Sequence, residues 1–338
     1  MNIGIDARSL QERPWGGVGQ YTYRTLHALF SRDTKNEYYL FYNALRTVDV
    51  PRFSEFPNVH ICTTRWPNKL LNLCIKLFRW PRIDSLMHVS LDKFFMPNRN
   101  FVALHPRIKL AVVVHDLSFH HFPEFFSYKS RLVHWAINPR KLFTRADTII
   151  AVSKYTKDDL VRTYGIAEEK IRVEYPAFTF KHASIETLKQ GKGGHDGYIL
   201  YFGALEPRKN IEGIIAAYGL LCSEEKDVPN MVLAGRSTFY VKRIKKRIAM
   251  SRWKNNIALI ENPGENRKAE LYAGARVFVY PSFYEGFGFP PLEAMSYGVP
   301  VVASSASSIP EVCGDSALLV NPWDVREIKE GMKFFLRR

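Results

Sequence analysis

Two carboxylates stand eight positions apart in the run S-F-Y-E-G-F-G-F-P-P-L-E-A-M-S-Y-G-V-P-V-V-A-S, Ser282 to Ser304. They are Glu285 and Glu293, with a glycine turn and a double proline between them. Gly286 and Gly288 allow the backbone a close approach to a ligand. Pro290 and Pro291 suit the first turn of a helix, where a missing N–H costs nothing. The free N–H groups and positive dipole end of such a helix favour an anion such as phosphate. On this spacing Glu293 falls in the first helical turn and Glu285 on the loop before it. Gly298 then ends the helix, and V-P-V-V-A-S reads as a buried strand. The unit offers an anion seat beside two carboxylates that can bind hydroxyls. A nucleotide-sugar, with its diphosphate, ribose diol and sugar hydroxyls, needs that combination.

A second cluster lies in G-A-L-E-P-R-K-N, Gly203 to Asn210, between a strand and a helix expected from Ile211. Arg208 and Lys209 are adjacent cations at a helix start, where the macrodipole disfavours them unless an anion joins them. A diphosphate suits the pair, and arginine adds planar two-pronged geometry. The alternative is a solvated basic pair. W-G-G-V-G, Trp15 to Gly19, with Gly16 and Gly17, is a glycine loop between a strand and a helix beginning at Gln20. It can hold phosphate on its amides, yet a ligand-free tight turn gives the same letters. His115 and Asp116 close the strand K-L-A-V-V-V-H-D, with His115 as hydrogen-bonded scaffold or as a catalytic residue. His120 and His121 mimic a metal pair, but neighbours on an extended chain point apart, so no metal site is expected.

The elements that must position these groups alternate short apolar runs with helical patterns. N-I-G-I-D opens the chain, K-L-A-V-V-V follows as the next clear strand, and A-D-T-I-I-A-V-S as a third, with Ser153 placed to cap a helix. After the glycine-rich stretch Ala177 to Gly197, strands resume with Y-I-L-Y-F-G and M-V-L-A-G. Such alternation predicts α/β domains with parallel sheets. The expected division is residues 1–178 and 179–338. Gly203, Gly235, His115 and Glu285 all follow strands, at the edge where open parallel sheets bind ligands.

The 338 residues carry 48 basic and 33 acidic side chains, a net charge of +15, which implies an anionic partner. Cys62, Cys74, Cys222 and Cys313 are scattered and read as reduced and buried. No signal peptide and no bilayer-spanning run is expected, which points to the cytoplasm. Asn68 to Arg82 is amphipathic, with Leu70, Leu71, Cys74, Leu77 and Phe78 on one face and Lys69, Asn72, Lys76 and Arg79 on the other. It reads as a core helix or as one dipping into an anionic membrane. Tyr240 to Lys254 is densely basic and reads as a solvated face.

Taken together these residues resemble a retaining glycosyltransferase of family 4, with the GT-B fold of two Rossmann-like domains whose parallel sheets face a central cleft. E-G-F-G-F-P-P-L-E matches that family's paired-glutamate signature, and G-A-L-E-P-R-K-N its phosphate-binding segment. I-D-A-R with G-G-V-G-Q-Y-T is similar to its N-terminal glycine loop. The resemblance implies an N-terminal acceptor domain and a C-terminal nucleotide-sugar domain. It assigns the diphosphate to Arg208 and Lys209, the ribose to Glu293 and the donor sugar to Glu285. Amides of Gly286, Phe287, Gly288 and Phe289 would serve sugar and phosphate. Gly16 and Gly17 would approach the diphosphate, and His115 would lie near the sugar. It further implies mannosyl transfer from GDP-mannose, or transfer from a UDP-sugar, to a lipid-linked glycan at the inner membrane face. No cofactor and no metal are expected.

Readings from other classes stay open at this point. A nucleic-acid-binding protein would account for the charge, but predicts a basic face with stacking aromatics, and no such motif is recognised. A non-catalytic partner protein sits poorly with the intact glutamates and basic pair. A nicotinamide dehydrogenase would need a glycine fingerprint that is absent.

Overall fold

A computed structural model describes residues 1–11, 15–45, 49–177 and 197–337. The boundary expected near residue 180, with nearly all of its glycine-rich stretch, lies outside the described residues. The chain forms two compact units. The first is Met1–Phe119 with Phe126–Ala177, and the second is His120–Phe125 with Phe178–Arg338.

The first unit is built on seven parallel strands. They are β1 (Asn2–Asp6), β2 (Glu37–Asn43), β3 (Val59–Thr64), β4 (Lys93–Met96), β5 (Lys109–Val114), β6 (Thr148–Ala151) and β7 (Ile171–Val173). Their order is β3-β2-β1-β4-β5-β6-β7, so the chain reverses direction of travel between β1 and β4. Val112, Val113 and Val114 of β5 are all buried, because a central parallel strand is covered on both faces. Ser153 caps the helix Lys154–Tyr164, its hydroxyl accepting from Thr156 N at 3.0 Å. Sequence reading passed over β2, β3, β4 and β7, which are short or carry interspersed tyrosine, histidine and lysine.

Four local expectations are corrected here. The helix after the first glycine loop spans Gly17–Phe30, three residues earlier than expected, with Gly16 as its extended N-cap. Ser118–His121 is a helical turn, not extended chain. In Asn68–Phe78 the buried side chains are Leu71 and Ile75, while Leu70, Leu77 and Phe78 are exposed. The apolar arc of that helix is wider than the strip it buries, so periodicity alone does not say which part of the arc faces the core. The cysteines are free, but only Cys313 is fully buried.

The second unit carries β8 (Tyr198–Phe202), β9 (Met231–Gly235), β10 (Ile257–Glu261), β11 (Ala275–Tyr280), β12 (Val301–Ser304) and β13 (Leu318–Val320). All pairings are parallel, in the order β10-β9-β8-β11-β12-β13, with the reversal between β8 and β11. Every residue of β9 and of β12 is buried. The helix Val325–Leu336 packs on Ile211–Glu224, with Lys329 Nζ 2.6 Å from Glu224 Oε2. Among the described residues no helix is long and apolar enough to cross a membrane.

Candidate active site

The loops after β8 and β11 meet where the order of the second sheet reverses. Pro207–Lys209 makes one 3-10 turn after β8, and Asn210 ends it at φ 57°. Asparagine tolerates this left-handed conformation better than most residues. The Arg208 carbonyl accepts from Phe283 N at 2.9 Å and Ser282 Oγ at 3.2 Å, which fastens the cation turn to the loop after β11.

Glu285 is the centre of the cluster and is only 6% exposed. Its Oε1 accepts from Lys209 Nζ at 2.5 Å, Ser282 Oγ at 2.5 Å and Tyr280 OH at 3.0 Å. Its Oε2 accepts from Arg208 Nη1 at 2.8 Å. Arg208 Nη1 also donates to Tyr284 O at 2.7 Å, and Nη2 to Glu206 Oε1 at 2.8 Å. Lys209, 7% exposed, donates to Tyr280 OH at 2.7 Å.

Burial alone would raise the Glu285 pKa. The charges of Arg208 and Lys209, with the hydrogen bonds it accepts, overcome that and hold the carboxyl at about 2. It is therefore an anion and an acceptor at neutral pH, not a proton donor. Burial, and then the Arg208 charge, lower the Lys209 ammonium, with Glu285 opposing them. The result is a pair of fixed cations locked by one carboxylate.

Glu293 lies on the helix Phe289–Ser296, capped by Gly288 with Pro290 and Pro291 in its first turn. Contrary to expectation, Glu293 is the fifth residue of that helix, so it sits in the second turn. Its Oε1 accepts from Lys268 Nζ at 2.6 Å and its Oε2 from Tyr272 OH at 2.9 Å. Gly288, at φ +107°, holds a conformation that strains any residue with a side chain, and a Cβ there would also make Ile309 Cδ1, at 2.4 Å, move aside. The rings of Phe287 and Phe289 pack 5.0 Å apart. Ser307 Oγ accepts from Glu285 N at 2.9 Å. Ser308 Oγ shares its one hydrogen between Glu285 O at 3.0 Å and Phe287 O at 2.9 Å.

Gly203 follows β8 in the same unit, whereas Gly235, expected after a strand, is the last residue of β9 itself. Gly235 is at φ +149°, and a Cβ there would stand 1.6 Å from Gly203 O, so this glycine is demanded by backbone packing. Gly16, Gly17 and His115 belong to the first unit. A Cβ on Gly16 or Gly17 would meet nothing within 4 Å. His115 follows β5, and its Nε2 lies 2.8 Å from Pro97 O. A carbonyl can only accept, so Nε2 carries the proton. Burial lowers the imidazole pKa, which keeps it neutral at physiological pH. His120 and His121 are ring neighbours, centroids 5.2 Å apart. Among the described residues no three His, Cys, Asp or Glu side chains gather as a metal site.

Glu206, Ser282, Tyr280, Lys268 and Tyr272 were not singled out from the sequence. Glu206 and Ser282 lie inside the two motifs, where their spacing to Arg208 and Glu285 was available. Nothing in the chain order marks Lys268 or Tyr272.

Two family models match the chain. "Glycosyltransferase Family 4" covers residues 15–178 and "Glycosyl transferases group 1" covers residues 185–338. The chain belongs to the family 4 glycosyltransferases. It is 29% identical over 339 residues to "O-antigen chain mannosyltransferase B" of Escherichia coli, across 93% of this chain and 85% of that protein. It is 30% identical over 265 residues to the "Serotype-specific mannosyltransferase WbdA" of Escherichia coli, covering 72% of this chain but only 30% of that protein's length. "O-antigen chain mannosyltransferase RfbU" of Salmonella typhimurium is 29% identical over 223 residues, 66% of this chain and 60% of that protein.

Solved glycosyltransferases share its fold. Sucrose-phosphate synthase from Thermosynechococcus elongatus aligns with a TM-score of 0.73 at 17% identity, covering 100% of this chain and 90% of that one. The Anabaena protein HepE, crystallised with UDP and glucose, aligns with a TM-score of 0.69 at 20% identity, covering 98% and 89%. This glycosyltransferase thus has the GT-B fold.

Proposed function

We propose that this glycosyltransferase moves mannose from GDP-mannose to a hydroxyl of a lipid-linked glycan and retains the anomeric configuration. The observation that carries the reading is Glu285 locked between Arg208 and Lys209 at the reversal point of the second sheet. The donor diphosphate belongs on that cation pair and on the first-turn amides of Phe289–Ser296. Glu285 and the amides of Gly286 to Phe289 address the sugar, and Glu293 the ribose. The C-terminal half takes the donor and the N-terminal half the acceptor, with Gly16, Gly17 and His115 serving the donor's phosphate and sugar. The choice of mannose follows the names of the relatives.

In the transfer the bond from the anomeric carbon to the phosphate oxygen breaks, and the acceptor oxygen bonds to that carbon on the same face. The acceptor's proton goes to the leaving phosphate oxygen, and GDP departs. Negative charge gathers on the diphosphate as the bond lengthens. Fixed cations and amides stabilise that charge without reorganising, each worth on the order of 3 kcal/mol in comparable sites. Two cations in place make a divalent metal unnecessary. The partners are therefore nucleotide-sugar and glycan, not nucleic acid, and the enzyme works as a peripheral protein at the inner face of the cytoplasmic membrane.

The test is thermal melting against a panel of nucleotide-sugars, followed by transfer in EDTA with proton NMR of the product's anomeric signal. GDP-mannose is expected to raise the melting temperature most, by mass action. A larger rise with a UDP-sugar reassigns the donor, an inverted anomer overturns the stereochemistry, and loss of transfer in EDTA overturns the metal-free reading.

A further inference from the structure

We infer that the helices Asn68–Phe78 and Tyr128–Ile137 of the first unit form one docking face for an anionic lipid bilayer. This deepens the membrane location proposed above by naming the surface that would make it.

The inward sides of both helices serve one core, through Leu71 and Ile75 on the first and Ile137 on the second. Their outward sides are apolar too. Leu77 and Phe78 are 59% and 71% exposed, and Tyr128 and Trp135 are 82% and 70% exposed. Leu70, Leu73 and Leu77 repeat at helical spacing, as do Tyr128, Leu132 and Trp135, so each helix presents one outward stripe. The stripes are joined: Lys76 Nζ stands 4.0 Å over the Trp135 ring. Contiguous exposed apolar surface of this kind is uncommon on a soluble protein and marks an interaction site.

Charge selects the partner. Residues 65–82 hold five cations and no acid, and residues 126–145 hold another five cations and no acid. Half-apolar, half-basic surface with tryptophan and tyrosine at its rim suits the headgroup boundary of an anionic bilayer. An acidic lipid supplies both the negative charge and the apolar depth.

The test is co-sedimentation of the full chain with phosphatidylcholine vesicles, with and without phosphatidylglycerol, in the absence of nucleotide and acceptor. Binding is expected with phosphatidylglycerol, weaker without it, and weaker as salt rises. Tryptophan emission should shift to the blue on binding. Leu77→Ser with Phe78→Ser should weaken binding to both vesicle types by about tenfold or more. Lys69→Gln with Lys76→Gln should weaken only the anionic case, by about fivefold for each cation removed. These side chains are exposed, so thermal unfolding should not change, and transfer to a short soluble acceptor should stay at the wild-type rate. Loss of transfer with vesicle binding intact counts against the proposed function and not against this face. Wild-type protein left in the supernatant with anionic vesicles overturns the inference, as do variants that sediment like wild type. A concentration-dependent dimer abolished by Phe78→Ser, without vesicle binding, would give the face to a second copy.

Discussion

Lys209 Nζ lies 2.5 Å from Glu285 Oε1, across 76 positions of sequence. The contact joins the loops that leave β8 and β11, the strands at which the second sheet reverses its order. In an open parallel sheet the crevice at such a reversal receives the ligand. Tyr280 completes the arrangement, accepting from Lys209 and donating to Glu285. The carboxylate therefore does two things at once. It holds two cation heads in place, and it stays ionised; on the proposed reading the heads receive a diphosphate and the carboxylate a sugar hydroxyl.

Lys209→Met and Glu285→Gln should each lower kcat by about a hundredfold to a thousandfold, the usual effect of removing one preorganised charge contact. Because the pair is buried, each should also lower stability by roughly 3 kcal/mol in urea unfolding. Glu285→Ala, which also removes the acceptor for Tyr280 and Ser282, should cost more. Circular dichroism should stay native. Wild-type kcat in either variant removes that residue from the site.

The carboxyl of Glu285 sits at about 2 in the folded protein against 4.5 for the free group. Its folded-state pKa is depressed, so its contribution to stability is present above 4.5 and is lost as pH falls towards 2. A shift of that size is worth about 3 kcal/mol. Urea midpoints measured from pH 6 downward should therefore fall more steeply for wild type than for Glu285→Gln. Parallel pH profiles would contradict the assignment.

Glycines with different surroundings should respond differently to alanine. Gly235→Ala drives a Cβ to 1.6 Å from Gly203 O and should not yield soluble protein. Gly17→Ala meets no neighbour within 4 Å and lies in a helix, so it should be neutral or stabilising by up to about 1 kcal/mol. Its donor KM should nonetheless rise if the donor diphosphate approaches this loop. An unchanged KM detaches the loop from the donor.

Glu293→Gln weakens the contacts to Lys268 and Tyr272 at a partly exposed place. Stability should fall by no more than about 1 kcal/mol. Donor KM should rise roughly tenfold, as expected for losing a charged acceptor to the ribose. Lys268→Met should reproduce part of the KM rise with kcat unchanged if it positions Glu293. A variant altering kcat alone would argue against the ribose role.

The motif-borne part of the site was legible because its residues do local work. Gly288 and the two prolines specify a turn into a helix wherever they occur, and Arg208 with Lys209 stands out against a helix dipole. Glu293 was placed one turn too early because the helix starts already at Phe289, ahead of the double proline. Lys268 and Tyr272 reach Glu293 through tertiary packing, 25 and 21 positions away, and no local pattern encodes that. In the first sheet, β5 was visible as an unbroken valine run. By contrast β2, with four tyrosines or phenylalanines beside polar residues, carries no clean period. The helix Asn68–Phe78 shows the limit in another way, since an apolar arc wider than the buried strip does not declare which of its edges faces inward.

The serine pair after β12 has one more implication. Ser307 and Ser308 grip Glu285 and Phe287 through main-chain atoms, independent of those residues' side chains. The turn is thereby braced like a keystone, so with the donor seated on it as proposed, preference among epimeric sugars would be rewritten by side-chain exchanges at positions such as Phe287 while the arch itself stays put.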